Sequence, residues 1–250
     1  MKKETDLQVC KEIAESLLYV DIEKPEGDSS FWPMILSHPL YNSCIVFDQT
    51  DGQMFSFVSD DGEIIDYNLH RANELMLEQI NDTEYIFHLL MLINKPYRIV
   101  FFDLVREGLS DEDYGECLKT SWLDSEFPSR SPNFSPGDYI EMFKNCNKQF
   151  LMSEKELEVY ENLPDKVEIF RGESSGEYNM GMSWTLKKAT AKWFANRWSE
   201  KYGGDDSGGI VYSTTVDKSR VLAYFEGEEE IVLDVSVFED NETELKIVNR

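Results

Sequence analysis

Three short motifs in the second half of the chain carry side chains that could do chemistry. They are Arg171-Gly172, Ser183-Trp184-Thr185 and Glu228-Glu229-Glu230. Each motif lies in or beside an apolar, strand-like run, where alternate side chains point to the same face. The arginine therefore leaves an apolar strand face, the two hydroxyls share a face, and so do the first and last glutamates. A guanidinium can bind an anion through its fork of donors, and a carboxylate can stabilise positive charge.

The order and context of these motifs resemble the mono-ADP-ribosyltransferases of the Arg–Ser–Glu class, a group that includes bacterial toxins and phage enzymes. The resemblance covers roughly residues 140–236 and depends on the three motifs occurring together, because each alone is common. Trp184 and Thr185 depart from the family's usual Ser-Thr-Ser, although the first hydroxyl is kept. The resemblance implies an α+β fold, with a split β core of two small antiparallel sheets around an NAD cleft, preceded by helices.

By this resemblance the protein is an NAD-dependent mono-ADP-ribosyltransferase. Such an enzyme cleaves the nicotinamide–ribose bond through an oxocarbenium-like centre, which a carboxylate stabilises. The resemblance gives that role to Glu230, and it makes Ser183 the hydroxyl that orients Glu230. It gives Glu228 the task of preparing the acceptor. Catalysis is thus expected to involve these three residues, with NAD as co-substrate and no metal.

The resemblance also implies residues that bind NAD and the acceptor. The NAD-binding residues would be Arg171 for a phosphate, Gly172 for the nicotinamide amide through its backbone, Thr185 as an assistant, and Phe194 against the ring. Phe225 and its neighbour Tyr224 would recognise the acceptor. Each motif has a structural alternative as well. Arg171 could pair with a nearby acid such as Glu168 or Asp165, and the glutamates could form a solvated acidic loop.

The acceptor and the reaction stay open at this point. An arginine side chain is favoured and a nucleic-acid base is a second candidate. The chain carries 24 basic and 49 acidic residues, a formal net charge of −25, which disfavours nucleic acid and favours a basic protein. An antitoxin or inhibitor protein is a further candidate partner, and the role would be that of a toxin or effector. The rival functions are an NAD glycohydrolase, which would not need Glu228, and an inert acidic binding or inhibitory module.

Composition predicts a folded protein, and we expect it in the cytoplasm of the producing or target cell. Hydrophobic residues make up 41% of the chain, enough for a core, but no window holds the roughly 18 consecutive apolar residues of a membrane helix. The first residues are charged and lead into an amphipathic stretch, so we expect no signal peptide. We expect Cys10, Cys44, Cys117 and Cys146 to be reduced and mostly buried. Between residues 178 and 204 lies a basic island, which predicts either a solvated helix face or a phosphate site.

The elements that must position the motifs follow from periodicity and turn residues. Residues 1–70 are predicted to form a small α+β accessory element, and residues 71–250 the catalytic domain, with a helical lead-in to about 162 and a β core over 163–250. Predicted helices cover 7–20, 70–94, 138–162 and 187–201, and a capping box from Ser153 to Glu156 lies within the third. The segment 99–104 is predicted to be either a strand or a helix, and 124–137 is predicted to be a surface loop. Predicted strands cover the hairpin 44–48 and 53–58, then 167–172, 182–185, 210–216, 230–235 and 245–248.

Overall fold

The structure is a computed structural model that describes residues 3–22, 36–125, 133–174, 181–202, 209–239 and 243–249. Contacts divide the chain into two compact units, Met1–Glu126 and Phe127–Arg250, which we call the N-terminal and C-terminal units. The boundary predicted after residue 70 falls inside a helix of the N-terminal unit. The first helix packs on helices that follow residue 70, so residues 1–70 are not a separate module.

The N-terminal unit combines helices with one small hairpin. Its elements are α1 (Leu7–Ser16), β1 (Ile45–Asp48), β2 (Gln53–Ser56), α2 (Asp66–Asp82), α3 (Ile86–Leu92), α4 (Arg98–Val105) and α5 (Asp111–Asp124), with 3₁₀ turns at Leu17–Tyr19, Lys95–Tyr97 and Arg106–Gly108. The predicted first helix and hairpin are confirmed. The segment left open between strand and helix is helix α4, which is buried on most sides and therefore shows no clear period.

The core of the N-terminal unit lies among its helices. Helix α1 packs on α2, α3 and α4, and α5 packs on α3 and α4. Polar side chains set two helix starts: Asp6 accepts a hydrogen bond from the backbone of Val9, and Ser110 accepts one from Asp113. Helix α5 also places three acids in its first turn, where the helix dipole favours negative charge.

The C-terminal unit begins with helices and continues as a sheet. Its elements are α6 (Pro136–Asn145), α7 (Lys148–Leu151), α8 (Glu154–Glu161), β3 (Lys166–Glu173), β4 (Ser183–Thr185), α9 (Lys188–Tyr202), β5 (Ile210–Asp217), β6 (Val221–Phe225), β7 (Glu230–Leu233) and β8 (Lys246–Asn249), with 3₁₀ turns at Lys218–Arg220 and Val235–Phe238. The predicted capping box from Ser153 to Glu156 is confirmed at the start of α8. The predicted loop 124–137 lies partly outside the described residues.

The strands of this unit form one antiparallel sheet in the order β6-β7-β4-β3-β5-β8. The expectation of two separate sheets is therefore corrected to a single six-stranded sheet within a mixed α/β architecture. The junction at its middle is narrow: β3 and β4 share one register pair, Phe170 with Thr185, whereas β3 and β5 share eight. Strand β4 has only three residues, so it cannot pair along the full length of β3.

Side chains from α7 and α8 cover the free edge of β6. Lys148 donates to the carbonyl of Leu222 at 2.6 Å, and the Glu156 carboxylate accepts from the backbone of Glu226 at 3.1 Å. An uncovered edge would expose backbone groups to another chain. These contacts also fix the point at which the chain leaves β6 towards the glutamate motif.

All four cysteines are buried and free, as predicted. None of the helices in the described ranges is long and apolar enough to cross a membrane.

Candidate active site

Strands β4 and β7 bring the predicted hydroxyls and the predicted carboxylate to one face of the sheet. Thr185 pairs with Glu230, and Ser183 pairs with Val232. Paired residues of antiparallel strands share a face, so Ser183, Thr185 and Glu230 lie on the same side. Ser183 and Glu230 are diagonal neighbours, a spacing that a glutamate side chain can bridge. Glu230 is 7% exposed, which places a carboxylate largely out of water beside two hydroxyls.

Ser183 makes a hydrogen bond outside its own sheet ladder through its backbone carbonyl. Its carbonyl accepts a hydrogen bond from Arg171 at 2.5 Å. Within the described ranges the structure assigns no hydrogen bond to its hydroxyl. A half-buried hydroxyl on the face of Glu230 can therefore donate to that carboxylate or to a ligand.

The turn between β6 and β7 is held by the segment that joins β4 to α9. The Thr185 hydroxyl donates to the carbonyl of Glu228 at 2.8 Å, and the backbone of Leu186 donates to the carbonyl of Glu229 at 3.1 Å. The Lys187 ammonium forms an ion pair with the Glu229 carboxylate. Thr185, predicted to assist NAD binding, thus has its hydroxyl engaged in positioning this turn.

Glu229 itself has a φ of 45°, a left-handed conformation that non-glycine residues rarely adopt. Such a conformation costs on the order of 1 kcal/mol or more and persists only where surrounding contacts enforce it. Its contacts with Leu186 and Lys187 supply that enforcement. The consequence is that Glu228 and Glu230, on either side of it, have a fixed backbone geometry.

Helix α9 brings a second set of groups to Glu228. The Arg197 guanidinium lies 5.1 Å from the ring centroid of Phe194 and 5.7 Å from that of Trp193. Partial burial raises the pKa of Glu228, and the charge of Arg197 acts in the opposite direction. The Glu228 side chain is nevertheless exposed, so it lies at the rim of this region, in contact with water.

Arg197 was not singled out as a site residue by the sequence analysis, which counted it only within the basic island. The available signal was its position three residues after Phe194, a spacing that puts both on one side of a helix. Two lysines of the island make contacts of their own. Lys187 pairs with Glu229, and Lys188 reaches the carbonyl of Val248 at 3.5 Å.

Arg171 lies on the opposite face of the sheet from Glu230, since its neighbour Phe170 shares the face of Thr185. Its guanidinium is 15% exposed, donates from Nε to Glu173 at 2.6 Å, and donates from Nη1 to the Ser183 carbonyl. The ion-pair partner is Glu173, which is buried, and neither acid suggested by the sequence. Contact with an NAD phosphate would require Arg171 to exchange these bonds.

Gly172 allows helix α9 to approach strand β3. A Cβ at this position would overlap the carbonyl oxygen of Ala191 and would lie 2.7 Å from the backbone nitrogen of Ala195. Ala191 and Ala195 are both buried, and Phe170 packs against them. The close packing of helix on strand accounts for the glycine, independently of the nicotinamide contact predicted for it.

Tyr224 and Phe225, predicted to recognise the acceptor, are core residues of strand β6. They are 5% and 2% exposed. Burial and the nearby carboxylates, Glu229 first among them, raise the pKa of Tyr224. This burial argues against the acceptor-recognition role predicted for Phe225 and Tyr224, because both rings pack inside the unit. No strand was predicted over residues 221–225, because the acidic run that follows them dominates the local sequence.

No family model, curated protein or solved structure matches this chain. In the part of the chain that the structure describes, no group of three or more His, Cys, Asp or Glu side chains is arranged to hold a metal ion. The chemical character of the site comes from a buried carboxylate, neighbouring hydroxyls, a rim carboxylate and an arginine stacked on aromatic rings.

Proposed function

We propose that the C-terminal unit is an NAD-dependent mono-ADP-ribosyltransferase with Glu230 as its principal catalytic carboxylate. The observation that carries this proposal is the pairing of Thr185 with Glu230 across β4 and β7, which sets a buried carboxylate on the face of Ser183. A carboxylate that is already fixed and largely desolvated interacts more strongly with developing positive charge than one in water. Cleavage of a bond to ribose develops such charge.

In this mechanism Glu230 stabilises the positive charge that appears on the ribose as nicotinamide leaves with the electron pair of the broken bond. The Ser183 hydroxyl, which has no hydrogen bond within the described ranges, donates one to Glu230 when NAD binds and so orients it. Glu228, at the rim, accepts the proton that the acceptor loses when it bonds to the ribose. The raised pKa of Glu228 makes it a stronger base than an ordinary glutamate.

The groups on α9 suit the remaining parts of NAD. Arg197 supplies a positive charge for the anionic pyrophosphate, and the Phe194 ring offers a surface for stacking. This assignment transfers the phosphate role from Arg171 to Arg197, because Arg171 is bound to Glu173 on the other face. A basic protein whose arginine side chain accepts ADP-ribose is the acceptor we propose.

Hydrolysis of NAD is a second candidate, and one observation favours it. Tyr224 and Phe225 are buried, so the aromatic contact expected to hold an acceptor beside Glu228 is missing from strand β6. Water would then take the place of the acceptor. Glu230 and Ser183 would keep their roles, whereas Glu228 would lose its own.

One experiment tests both candidates. Purified wild type, Glu230→Gln and Glu228→Gln are incubated with labelled NAD, in buffer and in a cell lysate. Nicotinamide release and label incorporation are measured, and the label is tested for sensitivity to protease and nuclease. We expect Glu230→Gln to lower both activities by about 10²- to 10³-fold without a change in thermal unfolding. Glu228→Gln should lose incorporation and retain slow nicotinamide release.

Glu226→Gln is the matched control, because Glu226 lies in the same turn but is exposed and paired with Lys155. It should leave both activities near wild type. Nicotinamide release without incorporation by the wild type would identify the hydrolase. Absence of nicotinamide release from the wild type, or normal release by Glu230→Gln, would refute the proposed function.

A further inference from the structure

The β1–β2 hairpin of the N-terminal unit exposes apolar side chains on its outer face. Phe47 pairs with Met54 across the hairpin, and Ile45 is the next residue on the same face. Their exposures are 56%, 71% and 44%. We call these three residues the hairpin patch. A sheet with one face against the core normally has polar residues on the other face, so this arrangement is reversed.

The opposite face of the hairpin is anchored to helix α2, which shows that the patch points outward in the folded unit. Arg71 donates from Nε to the buried Asp48 at 2.8 Å, and Asn68 donates to the carbonyl of Ser56 at 2.6 Å. Adjacent exposed apolar side chains with charged residues near them in the chain form a candidate contact site for another molecule.

Charge around the patch indicates what that molecule is. Residues 44–66 include six acidic residues and no Lys or Arg. Five of the six are exposed, and we call these five, which lie near the patch in the sequence, the acidic rim: Asp51, Asp60, Asp61, Glu63 and Asp66. Over the whole N-terminal unit there are 9 basic and 26 acidic residues, a formal charge of −17 out of the total of −25. The acidity of the protein is thus concentrated in the unit that carries the patch.

These charges indicate which kind of molecule can bind the hairpin patch. Two copies of a unit with charge −17 repel each other, so a second copy of this chain is disfavoured. A polyanion is repelled as well. A protein with apolar side chains among Lys and Arg can pack its apolar groups on the patch and place its positive charges beside the acidic rim.

We propose that the hairpin patch and its acidic rim form the docking surface for a Lys/Arg-rich protein, and that this protein is the acceptor for ADP-ribose. The second clause rests on the proposed function; the binding itself does not. A separate docking surface also explains how an acceptor is recognised although Tyr224 and Phe225 are buried in the C-terminal unit.

Binding is tested on the full chain with a defined probe, a fluorescent amphipathic peptide of Lys and Leu. The comparison peptide has Ser in place of Leu. The patch variant is Phe47→Ser with Met54→Ser, and the control is Leu104→Ser, which removes an exposed apolar residue from α4. We expect the patch variant to bind the Lys/Leu peptide at least about tenfold more weakly, and the control to match wild type. Added salt should weaken wild-type binding, because the rim is charged.

Equal affinity of patch variant and control, or equal affinity of the two peptides for wild type, would overturn the proposal. Sedimentation velocity tests whether a second copy of the chain binds the patch instead. If the wild type is a dimer and the patch variant is a monomer, this face is a self-interface and the proposal is overturned. Both substituted side chains are exposed, so matching unfolding curves for the variants and wild type are expected.

A second arm links the patch to catalysis. Nicotinamide release in buffer and transfer of label to core histones are measured for the same variants. We expect unchanged release and a raised KM for histones with unchanged kcat in the patch variant only. Unchanged transfer by the patch variant would overturn its role in acceptor docking. If the wild type cleaves no NAD, the proposed function fails, and the peptide measurement still decides whether the patch binds a basic partner.

Discussion

Strand β7 is preceded by a turn that holds Glu228 and Glu229, and it is followed directly by Asp234. In the turn, partial burial raises the pKa of Glu228, and Glu229 adopts a φ of 45°. Asp234 is more deeply buried, yet its pKa is lowered. Burial alone would raise it, but hydrogen bonds from Lys144 at 2.8 Å and from the Ser236 hydroxyl at 2.6 Å outweigh that effect.

The difference shows which end of β7 stabilises the unit and which end bears a cost. At Asp234 the charge is matched by donors, so the group favours the folded state. At the turn, the charge of Glu228 is partly desolvated and the backbone of Glu229 has an unfavourable φ. Both features disfavour the folded state. Local costs of this kind persist at sites where function requires them. The turn is thus the end of the strand that we assign to chemistry.

Arg171 and Arg197 show the same contrast between a stabilising and a functional residue, and their substitutions should have the largest effects. Arg171→Gln removes the partner of the buried Glu173 and should destabilise the protein by about 3–5 kcal/mol. Arg197→Gln should leave unfolding unchanged and raise the NAD dissociation constant at least about tenfold, because Arg197 lies beside Glu228. Urea unfolding and calorimetry with NAD measure the two quantities. Full stability with lost NAD affinity in Arg171→Gln would return the phosphate role to Arg171.

Substitutions at the two ends of β7 should have smaller effects, and these should differ: one lowers stability and the other lowers activity. Asp234→Asn loses charged hydrogen bonds inside the protein and should destabilise it by about 1–3 kcal/mol, with NAD cleavage retained. Glu228→Gln removes a partly desolvated charge, so it should be neutral or stabilising, with transfer lost. Urea unfolding midpoints and the two activity assays are compared for both variants. Equal destabilisation by the two substitutions would remove the distinction between the ends of the strand.

Strand alternation was enough to predict part of this site. It placed Arg171 with Val167 and Ile169, and it placed Ser183 with Thr185, as the structure has them. The pairing of Thr185 with Glu230 was not contained in either motif, because register between strands distant in sequence depends on the whole sheet. For the same reason alternation could not show that Arg171 faces away from Glu230.

Other features had no local signal at all. Val221–Phe225 is buried at every residue and has no alternation, and side chains from α7 and α8 cover its edge. Gly172 is explained by the approach of α9, a contact with residues about twenty positions later. The hairpin was predicted correctly, but the turn residues that define it carry no information on which of its faces is left uncovered.

The pH dependence of stability gives the smallest and most specific test of the contrast between the ends of β7. The pKa of Asp234 lies below its ordinary 3.8 in the folded protein, so the unfolded state takes up its proton first. Its contribution is complete above pH 3.8 and is lost as the pH falls through the folded pKa. The pKa of Glu228 lies above its ordinary 4.5, so its folded state holds the proton longer, and stability falls as the pH rises from 4.5 through the folded pKa.

We therefore expect the two variants to change opposite sides of the stability curve. Relative to wild type, Asp234→Asn should lose its destabilising effect as the pH falls from 3.8 through the folded pKa of Asp234, because protonation then removes the wild-type charge. Glu228→Gln should gain stability relative to wild type as the pH rises from 4.5 to the folded pKa of Glu228, and no further above that pKa. Urea unfolding midpoints of the three proteins at matched pH values measure these differences, in which the other titrating groups cancel. A difference between Glu228→Gln and wild type that does not change with pH would show that Glu228 is an ordinary solvated acid.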